Sequence, residues 1–193
     1  MKPRVALALA GPLLSGKSTV AQILAKRWEA PVVSFGGYVR AQARLKGFDM
    51  RRSTLQDLGQ QLLEEQGPES FCRSVLADRG LSPTELPVIL DGVRHPSVLQ
   101  GLRVVYAPRA VVLAFLDSPE DARAQRVSDQ AEAEGTSAAE WAAHETESHL
   151  SDLRVIADVV ADDPTPESAA DSIRRSVEPA PNGKLPIASG PVA

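Results

Sequence analysis

Cysteine is all but missing from this chain: Cys72 is the single one, so no internal disulfide can form. Long apolar runs are missing too. No stretch approaches the roughly 20 residues that a membrane-crossing helix needs, so such a span is not expected. Positive charge is not in excess, because 25 acidic residues outnumber 21 lysines and arginines and leave a net charge of −4. With the two signs interspersed, the chain has no broad cationic field for nucleic acid or an anionic membrane. Any positive potential must be local, built from a few arginines. A cleavable leader is not expected either, since the short apolar run after Met1-Lys2-Pro3-Arg4 lacks a suitable cleavage end. These absences point to a cytoplasmic protein, and 193 residues suit one compact domain with a three-layer core.

Against that plain background one motif stands out. Gly11 to Ser18 read GPLLSGKS, which fits G-x-x-x-x-G-K-[ST] directly after the apolar run Val5 to Ala10. This is a P-loop at a strand-to-helix turn, a site for the phosphates of a nucleotide such as ATP. A polyphosphate packs several negative charges into a small volume and needs many donors at once. Gly11 and Gly16 let the backbone turn tightly so that successive N–H groups converge on the anion. Lys17 adds a mobile positive charge, Ser18 offers a hydroxyl to Mg²⁺, and the helix starting there contributes the positive end of its dipole. The expected nucleotide-binding set is Gly11, Ser15, Gly16, Lys17, Ser18 and Thr19.

Five apolar runs read as strands: Arg4 to Ala10, Val32 to Phe35, Pro87 to Asp91, Ala110 to Leu116 and Val155 to Ala161. They lack polar alternation, as strands buried on both faces do. Between them lie segments with helical spacing. Val20, Ile23, Leu24 and Trp28 fall within Ser18 to Trp28, and Leu55, Leu58, Leu62 and Leu63 make the next stripe. Alternating strands and helices predict an α/β fold with a parallel sheet covered on both faces. The segment Ser118 to Leu153 is alanine-rich, highly charged and nearly without large apolar groups. It predicts two solvent-facing helices broken near Gly135, with Thr136 or Ser137 capping the second. Two roles stand open for it, a solvated hairpin or a movable lid. From Glu178 to Ala193 four prolines and two glycines leave little to bury, so a disordered tail is expected.

A second phosphate-binding half is written in Pro87 to Gly92, an apolar strand ending in an acid. A carboxylate at that place can hold Mg²⁺ or orient an attacking group, which makes Asp91 a candidate for catalysis and metal binding with Ser18. The plainer alternative is that Asp91 only opens the turn with Gly92. Arg94 follows three residues on, with a fork of donors matched to phosphate. His95, before Pro96, reads as a loop or helix-start residue. Arg40, Arg44, Arg51, Arg52 and Arg73 fall between the second and third strands, where an acceptor-binding arm fits, and Arg123 and Arg126 share a helix face in the charged segment.

With the P-loop, DGVR, the arginine pair and IADVV in this order, the chain resembles P-loop nucleoside and deoxynucleoside monophosphate kinases, adenylate-kinase-like ATPases and dephospho-CoA kinases. The resemblance covers roughly Arg4 to Arg175. It implies a three-layer fold with a five-stranded parallel sheet of order 2-3-1-4-5, helices on both faces and a helical lid. The kinase domain would span 1–177, with an arm at about 36–80 and a lid at about 118–152, ahead of the tail 178–193. Carried over by position, Lys17 and Ser18 would bind ATP phosphates and Mg²⁺, while Arg40 and Arg94 would grip the acceptor phosphate. Arg73 would join them, and Gln56 would read the acceptor's base or another polar head group. Arg123 and Arg126 would close on the transferring group, with Lys17 and Asp91 completing the catalytic set, and the loop Asp162 to Thr165 would lie near adenine. The chain departs from its relatives in two places. Asp129 and Gln130 stand where many relatives carry a further lid arginine, which implies slower turnover or help for the lid from elsewhere. His95-Pro96-Ser97 replaces the acid that often follows DGxR, which leaves a non-standard acceptor open.

The expected activity is transfer of the γ-phosphoryl group of MgATP to a small phosphorylated acceptor, a nucleoside or deoxynucleoside monophosphate. The alternatives are dephospho-CoA or another metabolite as acceptor, and a nucleotide-binding switch or slow ATPase. A monomer or a homodimer is expected.

Overall fold

The structure is a computed structural model that describes residues 2–117, 124, 128, 147–163 and 165–178. The described elements run β1 (Ala6–Ala10), α1 (Lys17–Trp28), β2 (Val32–Ser34), α2 (Phe35–Leu45), α3 (Arg52–Gln66) and α4 (Pro68–Ala77). They continue with β3 (Val88–Asp91), α5 (Pro96–Tyr106), β4 (Val111–Leu116), α6 (Glu147–Val155), β5 (Val159–Ala161) and α7 (Pro166–Val177). The strands pair in the order β2-β3-β1-β4-β5, and every pairing is parallel. The sheet is therefore the one expected from the resemblance. No described helix is long and apolar enough to cross a membrane.

Strand β1 shows how the sequence divides the layers. Successive side chains of a strand point to opposite faces, and Ala-Leu-Ala-Leu-Ala gives each face one residue type. Ala6, Ala8 and Ala10 join the larger core, where small side chains leave room for Phe35, Tyr38, Phe71 and Tyr106. Leu7 and Leu9 join the second core with Val20, Leu24 and Trp28 of α1 and Ala169, Ala170 and Ile173 of α7. The aromatic rings of the first core pack on one another, Phe35 and Tyr38 both meeting Phe71 at centroid separations of 5.8 and 5.9 Å. At Gly101 helix α5 passes so near α4 that an added Cβ would come within 2.8 Å of the Pro68 carbonyl.

The last strand is shorter than its apolar run. Helix α6 continues to Val155, and pairing with β4 starts only at Val159. Leu150 and Leu153 face the core three residues apart, so Val155 is left 84% exposed at the helix end. Asp158 then fixes the register: its amide donates to the Leu113 carbonyl at 2.9 Å and its carboxylate accepts from the Leu113 amide at 2.8 Å. The same leucines correct the expectation of a wholly solvent-facing helix pair, because α6 is anchored in the larger core. The break near Gly135, the caps at Thr136 or Ser137, and the tail beyond Glu178 lie outside the described residues.

Candidate active site

Registers place the carboxyl ends of three strands side by side, with Leu9 opposite Asp91 and Asp91 opposite Ser34. In parallel α/β sheets ligands bind at that edge. Helix α1 starts there after the P-loop, α2 starts directly after β2, and α5 starts at Pro96.

The two loop glycines are needed for different reasons. Gly11 has φ +139°, and a Cβ on it would lie 2.3 Å from the Leu116 carbonyl oxygen at the end of β4. Gly16, the residue before α1, has φ +88° in the left-handed region, yet its added Cβ would meet only Pro166 Cγ at 3.7 Å. Gly11 answers to a neighbouring strand, Gly16 to its own backbone. Lys17 is buried, and its ammonium donates to the Gly11 carbonyl at 2.8 Å, to the Pro12 carbonyl and to Ser15 Oγ at 3.1 Å. A cation sheltered from water thus sits among the loop's own oxygens, within the loop that would wrap phosphate.

Beside it, Ser18 Oγ donates to Asp91 Oδ2 at 2.9 Å. Asp91 is the one buried acid among the described residues, and the backbone holds it in place. Gly92 and Val93 both donate their amides to the Leu9 carbonyl, tying the turn after β3 to the end of β1. The Asp91 carboxylate therefore reaches across to the P-loop, beyond any role in opening its own turn. One hydroxyl and one carboxylate are hard oxygen donors of the kind Mg²⁺ takes when it keeps waters and phosphate oxygens as its other ligands. Among the described residues no group of three or more His, Cys, Asp or Glu side chains is placed to hold a metal ion.

The other expected residues are more scattered. Arg94 is half-buried on the turn that leads from Asp91 into α5. Arg40 is exposed on α2, with its guanidinium lying back toward the first turn, 3.5 Å from where a Cβ on Gly36 would stand. That first turn is capped by Ser34, whose Oγ accepts from the Gly37 amide at 3.1 Å. Gln56 is half-buried on α3, while Arg73 and Thr19 are exposed on α4 and α1. Arg123 and Arg126 lie outside the described residues. In the loop after β5, Thr165 caps α7 by accepting from the Ser168 amide at 3.2 Å, and its neighbour Pro166 is the residue that faces Gly16. This loop therefore borders the P-loop.

Sequence reasoning missed His149. His95 stands at the start of α5, as expected for a helix-start residue, but its ring also packs on that of His149 from α6, centroids 4.8 Å apart and planes at 52°. Burial holds the His95 imidazole below the usual histidine range, and the neighbouring His149 and Arg94 push in the same direction. Nothing in a linear pattern announces a contact between residues so far apart in sequence.

A family model described as AAA domain matches residues 10–143. The UPF0200/UPF0201 protein of Archaeoglobus fulgidus is 28% identical over 122 residues, 63% of this chain, and the match spans only 37% of that relative's length. Among solved structures, the chain is similar to TT1252 from Thermus thermophilus, at 18% identity and a TM-score of 0.58, with 91% of this chain and 97% of that one covered. It is also similar to shikimate kinase from Bacteroides thetaiotaomicron, at 14% identity and a TM-score of 0.54, covering 88% and 96%. At these identities the likeness to solved structures is one of fold, the fold of P-loop kinases with a nucleotide-binding loop.

Proposed function

The chain belongs to the AAA domain family, and from that premise we propose that it is a phosphotransferase which moves the γ-phosphoryl group of MgATP to a small phosphorylated acceptor, a nucleoside or deoxynucleoside monophosphate. The observation that carries this reading is the Ser18–Asp91 hydrogen bond, which joins the P-loop to the strand end from which Arg94 departs. The groups proposed for donor and acceptor thus share one edge of one sheet, which supports the reading.

The residues support a direct transfer. Backbone amides of the P-loop and the Lys17 ammonium hold the β- and γ-phosphates, and Arg94 with Arg40 holds the acceptor phosphate in line. An acceptor phosphate oxygen forms a bond to the γ-phosphorus as the bond to the β,γ-bridging oxygen breaks. ADP leaves with that electron pair, and no covalent enzyme intermediate is needed. A divalent cation at Ser18 and Asp91 would supply charge neutralisation at the phosphate oxygens. Arg123 and Arg126 are proposed to add positive charge as the transfer proceeds.

The direct test is a coupled assay of ADP release against a panel of acceptors: nucleoside and deoxynucleoside monophosphates, dephospho-CoA, and neutral or carboxylic metabolites with a free hydroxyl. Stimulation by a monophosphate supports the reading. ATP consumption that no acceptor changes would overturn it and leave a slow ATPase or nucleotide switch. Stimulation confined to a hydroxyl acceptor would keep the enzyme class and replace the acceptor.

A further inference from the structure

The contact between His95 and His149 has no part in the donor site, yet it sits directly beside Arg94. Three groups that can carry positive charge are gathered at the start of α5. Helix α5 adds to them, because its first amides point the positive end of its dipole toward the same place. We propose that Arg94, His95 and His149 form a proton-gated anion subsite, and that this subsite selects acceptors carrying a dianionic phosphate over neutral ones. The existence of the subsite stands on this geometry alone, whereas its use for the acceptor rests on the phosphotransferase reading.

The surroundings favour an anion. The charges that act on His95 among the described residues are those of Arg94, from its own loop, and His149, from α6. Arg103 is the one charged residue within α5 and lies 3.9 Å from Asp158, away at the β5 side. On α6, Arg154 is paired with Asp117 at 2.7 Å, Asp152 is exposed, and one acid, Glu147, stands at the start of the helix two residues before His149. Leu150 and Leu153, in contrast, fasten α6 into the core, so the His149 ring is delivered by a firmly packed helix. The ring pair is a built contact between two anchored elements.

The sign of the proton linkage follows. Burial, His149 and Arg94 all act on the His95 imidazole in the direction of the neutral form, and a bound dianion opposes them by favouring the imidazolium. By reciprocity, protonation strengthens anion binding. Affinity is therefore flat above the anion-bound pKa, rises as pH falls from that value to the free pKa, and is flat again below it. An uncharged acceptor has no such dependence.

The test uses the full chain with ADP added to fill the P-loop, and sulfate as the probe, because sulfate keeps its double charge throughout the histidine range. Ring titrations by NMR follow the three histidines, His95, His144 and His149, assigned with His95→Asn and His149→Gln. Asparagine also caps helices well, so the first variant retains its helix start, which circular dichroism checks. Saturating sulfate is expected to raise the His95 midpoint by about one unit, equivalent to about tenfold tighter sulfate binding at low pH than at high pH. His149→Gln is expected to lower sulfate affinity at low pH and to flatten the dependence, and Arg94→Ala to lower affinity at every pH. Midpoints of His95 and His149 that sulfate leaves unmoved would overturn the subsite, even in a chain that proves to be an active kinase. A sulfate-linked rise in a chain that no phosphorylated acceptor stimulates would instead keep the subsite and overturn its use in phosphoryl transfer.

Discussion

The P-loop end of the molecule and the helices α2 to α4, proposed as the acceptor arm, are built on opposite terms. At the P-loop, Lys17 and Asp91 are buried, and their positions are set by backbone: carbonyls of Gly11 and Pro12, amides of Gly92 and Val93, and the close passage of β4. In the arm, Arg40 and Arg73 are exposed, and Leu45, Phe48 and Met50 are exposed around the α2–α3 turn. The proposed donor side is specified by sterics and main-chain hydrogen bonds, the proposed acceptor side by a few long side chains. A site held by the backbone tolerates little change, and a site held by side chains can be retuned residue by residue. This is why the P-loop reads clearly in sequence whereas the acceptor does not.

Substitutions on the two sides sharpen that contrast. The largest effect is expected for Lys17→Ala, with turnover falling by about 10³-fold while the fold survives, as steady-state kinetics and thermal melts together would show. Near-normal turnover would remove the loop from the reaction. Next comes Gly11→Ala, where the clash with Leu116 adds to backbone strain and should cost at least about 3 kcal/mol in chemical denaturation. Gly16→Ala carries strain alone and should cost about 1–2 kcal/mol, so equal losses at the two glycines would refute the steric distinction. On the acceptor side, Arg94→Ala should raise the acceptor KM by about 30-fold, in line with the loss of a charged hydrogen bond, and leave the KM for ATP unchanged. The smallest effect is expected far from both sites. Arg27 and Asp171 form an exposed ion pair at 3.4 Å, and Arg27→Ala should change stability by no more than about 0.5 kcal/mol.

Much of the scaffold could be read without coordinates because it follows local rules. The run before Gly11 had to be a strand for the loop to turn, and the leucines of α3 had to share a face. Where a residue answers to something distant, reading failed. Val155 and Ile156 look like the start of a strand, but Leu150 and Leu153 claim the core first and hold the helix through that point. The pairing of His95 with His149 depends on how α6 docks, which no periodicity encodes. Gly11 was expected to serve phosphate, and its second duty toward Leu116 appears only when β4 lies beside it. Arg40 and Arg73, which are exposed, and Gln56, which is half-buried, remain proposals for the acceptor because side chains that reach water take their places from a ligand as much as from the fold.

The three oxygens that receive the Lys17 ammonium have one more consequence. A cation that has already left water for carbonyl oxygens gives those up when it turns to a phosphate, and it can return to them afterward. In the proposed reaction the ammonium's hold is weakened by that difference for every phosphate that binds there, triphosphate and diphosphate alike, so the loop trades tightness for ready exchange.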